Sequence, residues 1–292
     1  MMKDENNMPL VSVIIPFFNR IDWLEEAVDS VLNQSYSNYE IIVVNDGSTE
    51  NIGGFLQKYK NKLKYIYQRN KGSGSARNNG ICHVKGKYVA FLDSDDIWLP
   101  NKLEVQINYM EENSDIVWSH SLYETFGYGN NMRVDTSDYK GFIFPDCMSS
   151  CKIATPCVVI RSDILKQNTA LRFNEKMRYG QDFYLWVLMS VDYKLGHVDE
   201  ILSKVRMRGG NAAKRAYVML KAKSELWNNL SFIKEFPIDH ISKSVNLAYF
   251  FCNKGFRLIE NISNVVKNKE VIEFISKVLY FIPYIIFRLK RR

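Results

Sequence analysis

An α/β fold is predicted: a doubly wound, mostly parallel sheet followed by a C-terminal helical appendage. Three observations point there. Strand-like and helix-like segments alternate four times within the first hundred residues, the signature of a parallel sheet wrapped by helices. The strand-like segments are continuous apolar runs, as expected of strands covered on both faces. The residues that close those runs are acids and amides, and sheets of this class bind ligands beyond the carboxyl ends of their strands.

The elements follow in order. LVSVIIPFF (10–18) is β-branched throughout and reads as the first strand. Asp22 and Glu25 have capping-box spacing, and Trp23, Leu24, Ala27, Val28, Val31 and Leu32 recur with helical period. YEIIVVND (39–46) is a second buried strand, ended by the turn residues Asp-Gly-Ser. A helix through Phe55 and Tyr59 leads to a third strand, KLKYIYQ (62–68). KGSGSARNNGI opens another helix, and GKYVAFL (86–92) is the fourth strand. ATPCVVIRSDIL (154–165) reads as a strand then a helix, and the stretch between Phe126 and Asp146 as a polar loop. From Tyr217 onward the pattern is helical.

Composition narrows the function. The chain has 292 residues, 46% of them apolar and 24% charged, with no repeat or low-complexity tract. That suffices for one large domain, or a domain with an appendage, and excludes the disordered and fibrous classes. Five scattered cysteines include no paired zinc-ligand set and read as buried thiols in a reducing compartment. The four histidines, 83, 120, 197 and 240, match no ligand spacing and read as structural. The polar N-terminus, MMKDENNMPLVSV, lacks the form of a signal peptide, which leads to the expectation of a cytoplasmic protein. Net charge is +7, but most basic residues are mixed with acids, so no nucleic-acid stripe is expected. The exception is the tail. VLYFIPYIIF (278–287) is too short to span a bilayer, which takes about 20 apolar residues. It precedes Arg288, Lys290, Arg291 and Arg292. That pairing suits a segment lying on an anionic membrane surface, with a helix packed on the core as the other reading.

The acidic stretch FLDSDDIW (91–98) places three carboxylates, Asp93, Asp95 and Asp96, within four residues beside a buried strand. Such a cluster is costly unless it serves something. The first βα turn reads PFFNR, without the glycines of a dinucleotide fingerprint. Gly72-Ser73-Gly74 follows the wrong strand, and no phosphate-binding G-x-x-x-x-G-K-[ST] loop is present. A nucleotide bound here needs another way to neutralise its phosphates. A hard divalent cation on carboxylate oxygens, magnesium or manganese, provides it.

Taken together, VSVIIPFFNR, SVLNQSY, IIVVNDGST, NKGSGSARNNG, GKYVAFLDSDD and GQDFYLW make the chain resemble the family 2 glycosyltransferases. These are inverting enzymes of the GT-A fold, and the likeness runs from Leu10 to about Asn211. The resemblance implies a GT-A domain over 1–212, with a nucleotide-binding half at about 9–97 and an acceptor half at about 98–212. A helical region over 213–292 follows, ending in the basic amphipathic tail. It implies that Pro16, Phe17 and Asn19 border the nucleotide base, that Asp46 bonds the base, and that Arg77 lies near base and diphosphate. Asp93, Ser94 and Asp95 form the D-x-D motif: the first acid touches ribose and Asp95 binds the metal, with Asp96 behind them. Asp182, in GQDFYLW, takes the place of the general base, Gln181 standing where the family has an acid; capping its own helix is the other reading. Arg206 and Arg208, in VRMRGGNAA, fall in a loop that meets the diphosphate, Arg208 standing where a histidine is usual.

The implied activity is metal-dependent, inverting transfer of a hexose from a nucleotide sugar, UDP-linked by preference. The implied acceptor is a glycan or polyprenyl-diphosphate-linked glycan in bacterial surface polysaccharide (O-antigen or capsule) assembly. The protein would work peripherally on the inner face of the cell membrane. The rivals are a nucleotidyltransferase, which would release pyrophosphate, and a nucleotide-sugar sensor without turnover.

Overall fold

The computed structural model describes residues 8–209 and 215–290. Packing divides the chain into two compact units. One comprises Met1–Phe142, Lys152–Glu175 and Asp192–Met207, and the other Ile143–Cys151, Lys176–Val191 and Arg208–Arg292. The helical unit thus includes two segments from upstream of residue 212.

The first unit is built on a nine-stranded sheet. Its strands are β1 (Val11–Phe17), β2 (Tyr39–Asp46), β3 (Lys64–Gln68), β4 (Tyr88–Phe91), β5 (Ile97–Trp98), β6 (Trp118–Gly127), β7 (Arg133–Val134), β8 (Val159–Arg161) and β9 (Leu195–Met207). They lie in the order β3-β2-β1-β4-β8-β6-β9-β5, with β7 on β6. The first four pair in parallel. β8 runs antiparallel to both β4 and β6, β6 and β9 are parallel, and β5 closes the row antiparallel to β9. All four strands read from the sequence are present, each trimmed by at most two residues at either end.

Of the helices, α1 (Ile21–Leu32), α2 (Gly53–Lys58), α3 (Ser73–Ile81), α4 (Lys102–Glu112) and α5 (Ser162–Gln167) belong to this unit. α1 buries Leu24, Ala27, Val28 and Val31 against Val13, Ile15 and Val43, so the 3.6-residue period and the two-sided strands make one core. The expected capping box does not form. Arg20 precedes the helix in the left-handed region at φ 65° and its side chain caps nothing. Glu50, from the loop after β2, takes the helix start instead: its carboxylate accepts from the backbone N–H groups of Arg20 and Ile21, both at 2.9 Å. A carboxylate there satisfies orphan donors and meets the positive end of the helix dipole. Glu25 turns away to Lys58.

The second unit holds α6 (Gln181–Asp192), α7 (Ala216–Ser231), α8 (Lys243–Val265) and α9 (Lys269–Leu289). α8 buries Val245, Ala248, Tyr249, Cys252, Phe256 and Ile259, spaced for a helix face. Lys223 of α7 is buried; its ammonium donates to the Met148 carbonyl at 3.2 Å and lies over the rings of Phe183 and Phe287. The tail sequence is part of this packing. Phe287 is 2% exposed and meets Tyr249 edge-on at 5.1 Å. No helix among the described residues is long and apolar enough to cross a membrane. Arg291, Arg292 and residues 210–213 of VRMRGGNAA lie outside the described residues. Two cysteines depart from the buried set: Cys82, at the end of α3, is exposed, and Cys151 is half-buried.

Candidate active site

Parallel pairing sets β1, β2 and β3 in register, Phe17 beside Asn45 and Asn45 beside Tyr67, so their carboxyl ends finish together. Pro16 lies past the last β1–β4 pair, Ile14 with Phe91, where its missing N–H costs no ladder bond on that side. Phe17 differs from expectation: it is 1% exposed and packs in the core, whereas Phe18 is 49% exposed. Strand alternation sends successive side chains to opposite faces, so the ring available at this end is Phe18. Asn19 joins two loops. Its side-chain oxygen accepts from the Ser48 hydroxyl at 2.9 Å and the Thr49 N–H at 3.1 Å.

Asp46 ends β2, is 3% exposed and sits in a pocket of donors. Oδ1 accepts from the Gln68 side chain at 2.9 Å and Lys71 N–H at 2.8 Å, and Oδ2 accepts from Gly72 N–H at 2.8 Å. A carboxylate offers about four lone-pair directions, so three are used in fixing the entry to α3. Gly47 follows at φ 77°, and a Cβ there would stand 2.7 Å from the Asn70 backbone nitrogen, so only glycine makes this turn.

α3 carries Arg77, 6% exposed, into an ion pair with Asp93 at the end of β4. The Arg77 guanidinium also lies 5.1 Å from the Phe173 ring. Asn78 fixes that partner segment: its amide donates to the Phe173 carbonyl at 2.8 Å and accepts the Phe173 N–H at 3.0 Å. The Arg77 Nε is buried with no acceptor among the described residues.

The acidic turn is held from both sides. Asp96 N–H donates to the Asp93 carbonyl at 3.0 Å, making Asp93-Ser94-Asp95-Asp96 a tight turn. Asp93, Ser94 and Asp95 are half-buried and Asp96 is 4% exposed. Asp96 accepts the backbone N–H of Arg206 at 2.8 Å. The Arg206 guanidinium donates to the Asp95 carbonyl through Nε at 2.8 Å and to the Glu26 carboxylate through Nη2 at 2.5 Å. It is flanked by the rings of Trp23 and Phe126. Arg206 therefore clamps the turn that carries Asp95. Arg208, in the following loop, is exposed and belongs to the helical unit, as does Asp182. Asp182 sits in the first turn of α6, where its carboxylate accepts Phe183 N–H at 2.8 Å, and Gln181 is buried with its amide on the Met177 carbonyl.

Behind the turn, Trp98 donates to the Pro156 carbonyl and lies 4.3 Å from the ammonium of Lys102. Lys102 is fully buried with Gln106 Oε1 as hydrogen-bond acceptor at 3.0 Å, and burial pushes its amine down to about 7. Burial likewise pushes the nearby Cys157 thiol up to about 12. Two histidines treated as structural lie side by side on β6 and β9, His120 and His197, with ring centroids 5.0 Å apart. His120 is wholly buried and bonds the Tyr139 carbonyl.

Local sequence carries no sign of Glu26, Glu50, Gln68, Trp23 or Phe126 as members of this region. Each reaches its partner across 22 or more residues of chain, where spacing rules are silent.

The chain matches the family model described as glycosyl transferase family 2 over residues 12–170, more than half its length. It belongs to that family. An uncharacterized glycosyltransferase of Rickettsia bellii (strain RML369-C) is 42% identical over 69% of this chain. The chain spans 29%, 46% and 48% of the lengths of three Rickettsia relatives, less than half of each. The Escherichia coli protein named UDP-Glc:alpha-D-GlcNAc-diphosphoundecaprenol beta-1,3-glucosyltransferase WfgD is 29% identical, covering 81% of this chain and 91% of its own. Among solved structures, S. aureus TarS 1-349 in complex with UDP-GlcNAc aligns with TM-score 0.59 at 18% identity, over 96% of this chain and 90% of that one. The Pyrobaculum calidifontis mannosyltransferase PcManGT in complex with GDP-Man and Mn2+ aligns with TM-score 0.60 at 14% identity, over 99% and 88%. At these identities the likeness speaks for fold: a mixed α/β GT-A architecture with a helical C-terminal region.

Proposed function

We propose that this glycosyltransferase moves a hexose with inversion from a UDP-sugar to a lipid-linked glycan, with a divalent cation bound at the acidic turn. The carrying observation is the grouping at the strand ends: Asp46 after β2, Arg77 on α3, and the Asp93–Asp96 turn after β4, tied by the Arg77–Asp93 pair. Arg77 holds Asp93 for a ribose hydroxyl, and its unpartnered Nε is a donor that a bound anion or hydroxyl would satisfy. Phe18 offers an exposed ring for a base, with Pro16 and Asn19 shaping that rim. Asp46 retains one acceptor direction for a base N–H.

No group of three or more His, Cys, Asp or Glu gathers for a metal among the described residues. A cation of the magnesium or manganese kind keeps waters and uses one or two carboxylates plus substrate phosphates. Asp95 is the carboxylate that would hold it, with Ser94 beside it. Bound there, the cation would stabilise charge on the departing nucleoside diphosphate, and most strongly in the transition state. Asp182 serves as the base that takes the acceptor hydroxyl's proton, and Arg208 pairs with diphosphate oxygens. WfgD's named acceptor, a diphosphoundecaprenol-linked sugar, supports a polyprenyl-diphosphate-linked acceptor, and the proposed setting is surface polysaccharide assembly. The basic C-terminal tail suits an anionic membrane surface, which this reading places on the cytoplasmic side.

The test is an assay of UDP-sugars with manganese or magnesium. Free UDP should appear, and its release should stop in EDTA and return with added metal. Asp95→Ala should lower turnover at least a hundredfold, about 2.7 kcal/mol. Pyrophosphate among the products would mean a nucleotidyltransferase, and tight donor binding without turnover a sensor.

A further inference from the structure

α9 is apolar on two faces. One carries Ser276, Pro283 and Phe287, all buried inside the helical unit. The other carries Phe274, Val278, Phe281, Ile282, Ile285 and Leu289, all exposed, Phe274 and Phe281 by more than half. Their successive spacings of four, three, one, three and four residues fall on one side of a helix at 100° per residue. At 1.5 Å per residue the stripe is about 22 Å long. An exposed apolar band of this length marks an interaction surface.

The charges beside it select the partner. Lys277 and Arg288 are exposed on the same helix, and Lys290, also exposed, caps its C-terminal end. From Phe274 to Lys290 there is no aspartate or glutamate. The helix's two acids lie in its first turns, and Glu273 is occupied by the backbone N–H groups of Ala216 and Tyr217. An apolar stripe rimmed by uncompensated cations, on a helix unable to span a bilayer, complements lipid with anionic headgroups. We propose that the outer face of α9 docks the chain in the plane of an anionic lipid bilayer. The stripe would enter the acyl boundary, with Lys277, Arg288 and Lys290 on headgroup phosphates. This deepens the membrane contact in the functional reading above and rests on it, while involving none of the donor-site residues. It also revises which tail residues meet lipid: Phe274 joins upstream, and Pro283 and Phe287 face inward.

The experiment is sedimentation of the 292-residue chain with sucrose-loaded vesicles of phosphatidylcholine, with and without 30 mol% or so of phosphatidylglycerol. Wild type should partition into the anionic vesicles at least tenfold more strongly, and less so as salt rises. The triple variant Phe274→Gln, Phe281→Gln, Ile285→Gln leaves the buried face intact. It should lose at least tenfold in partitioning while keeping the wild-type melting temperature and circular dichroism. A milder pair, Lys277→Gln with Lys290→Gln, should remove most of the preference for anionic over neutral vesicles. Wild type ignoring anionic vesicles at low salt overturns the proposal, as does undiminished binding by the triple variant. So does a concentration-dependent dimer that the triple variant breaks apart, for the face would then belong to a second copy. UDP release from a UDP-sugar, followed on the same preparations, reports the transferase reading separately: wild type that releases UDP but ignores anionic vesicles sinks only the docking face.

Discussion

Two aspartates on the chain have contrasting surroundings. Asp95 is carried on a turn braced by Arg206 and Asp96, while Asp182 opens a helix and accepts its neighbour's N–H. Asp182→Asn keeps that capping geometry and removes the basic oxygen. Donor affinity should stay near wild type while transfer falls by about two to four orders of magnitude, as loss of a general base requires. Single-turnover transfer at a wild-type rate would place the base elsewhere. Arg206 makes a different prediction. Its guanidinium is engaged by Glu26 and the Asp95 carbonyl, so it acts through the turn more than on substrate. Arg206→Gln should raise the metal concentration needed for half-activation by roughly tenfold, the worth of one charge-assisted hydrogen bond. An unchanged metal titration would show that the clamp does not order Asp95.

Among the elements, α4 contains a fully buried amine. Lys102 is fully buried with an amide oxygen as its hydrogen-bond acceptor, and desolvation lowers its amine to about 7 from the ordinary 10.5. A folded value below the unfolded one means that the unfolded chain holds the proton more tightly. Stability is then greatest at high pH and is lost as pH falls from about 10.5 to about 7. Lys102→Met, which keeps the stem and removes the amine, should raise the midpoint of urea unfolding at pH 7 and flatten its climb between pH 7 and pH 10. Urea melts of both proteins at pH 7, 8.5 and 10 measure this, and parallel pH curves would refute it. The element also shows where local rules mislead. The Asp22–Glu25 spacing suits a capping box, yet Glu50 from a distant loop supplies two acceptor contacts and displaces it.

For the molecule as a whole, the tail is both structural and exposed. Phe287 completes a cluster with Tyr249 and Lys223 in the helical unit, so Phe287→Ala should cost about 3–5 kcal/mol of that unit's stability. Differential scanning calorimetry would detect the loss; an unshifted transition would mean that α9 is loosely held. Truncation at 278 would remove this packing together with the outer stripe, which is why surface substitutions are the cleaner probe of membrane contact.

The amino-acid sequence by itself determined the four parallel strands, most of the helices and the polar strand ends, because period, β-branching and turn residues are local properties read within one segment. It also placed Asp46, Asp93 and Asp95 along one edge, since strands that alternate with helices must all end on the same side, while Arg77 was expected there only from the family resemblance. Only the tertiary structure decided what those residues touch. β6 and β9 were missed because their alternation is irregular, with register shifts around Leu122. Phe17 lies in the core and Phe18 at the surface because one residue of register selects the face of a strand. Arg206 found Glu26 across 180 residues of chain, and Arg77 paired with Asp93 inside the fold. Such contacts form between side chains that become neighbours only when loops close over the sheet, so no pattern along the chain records them.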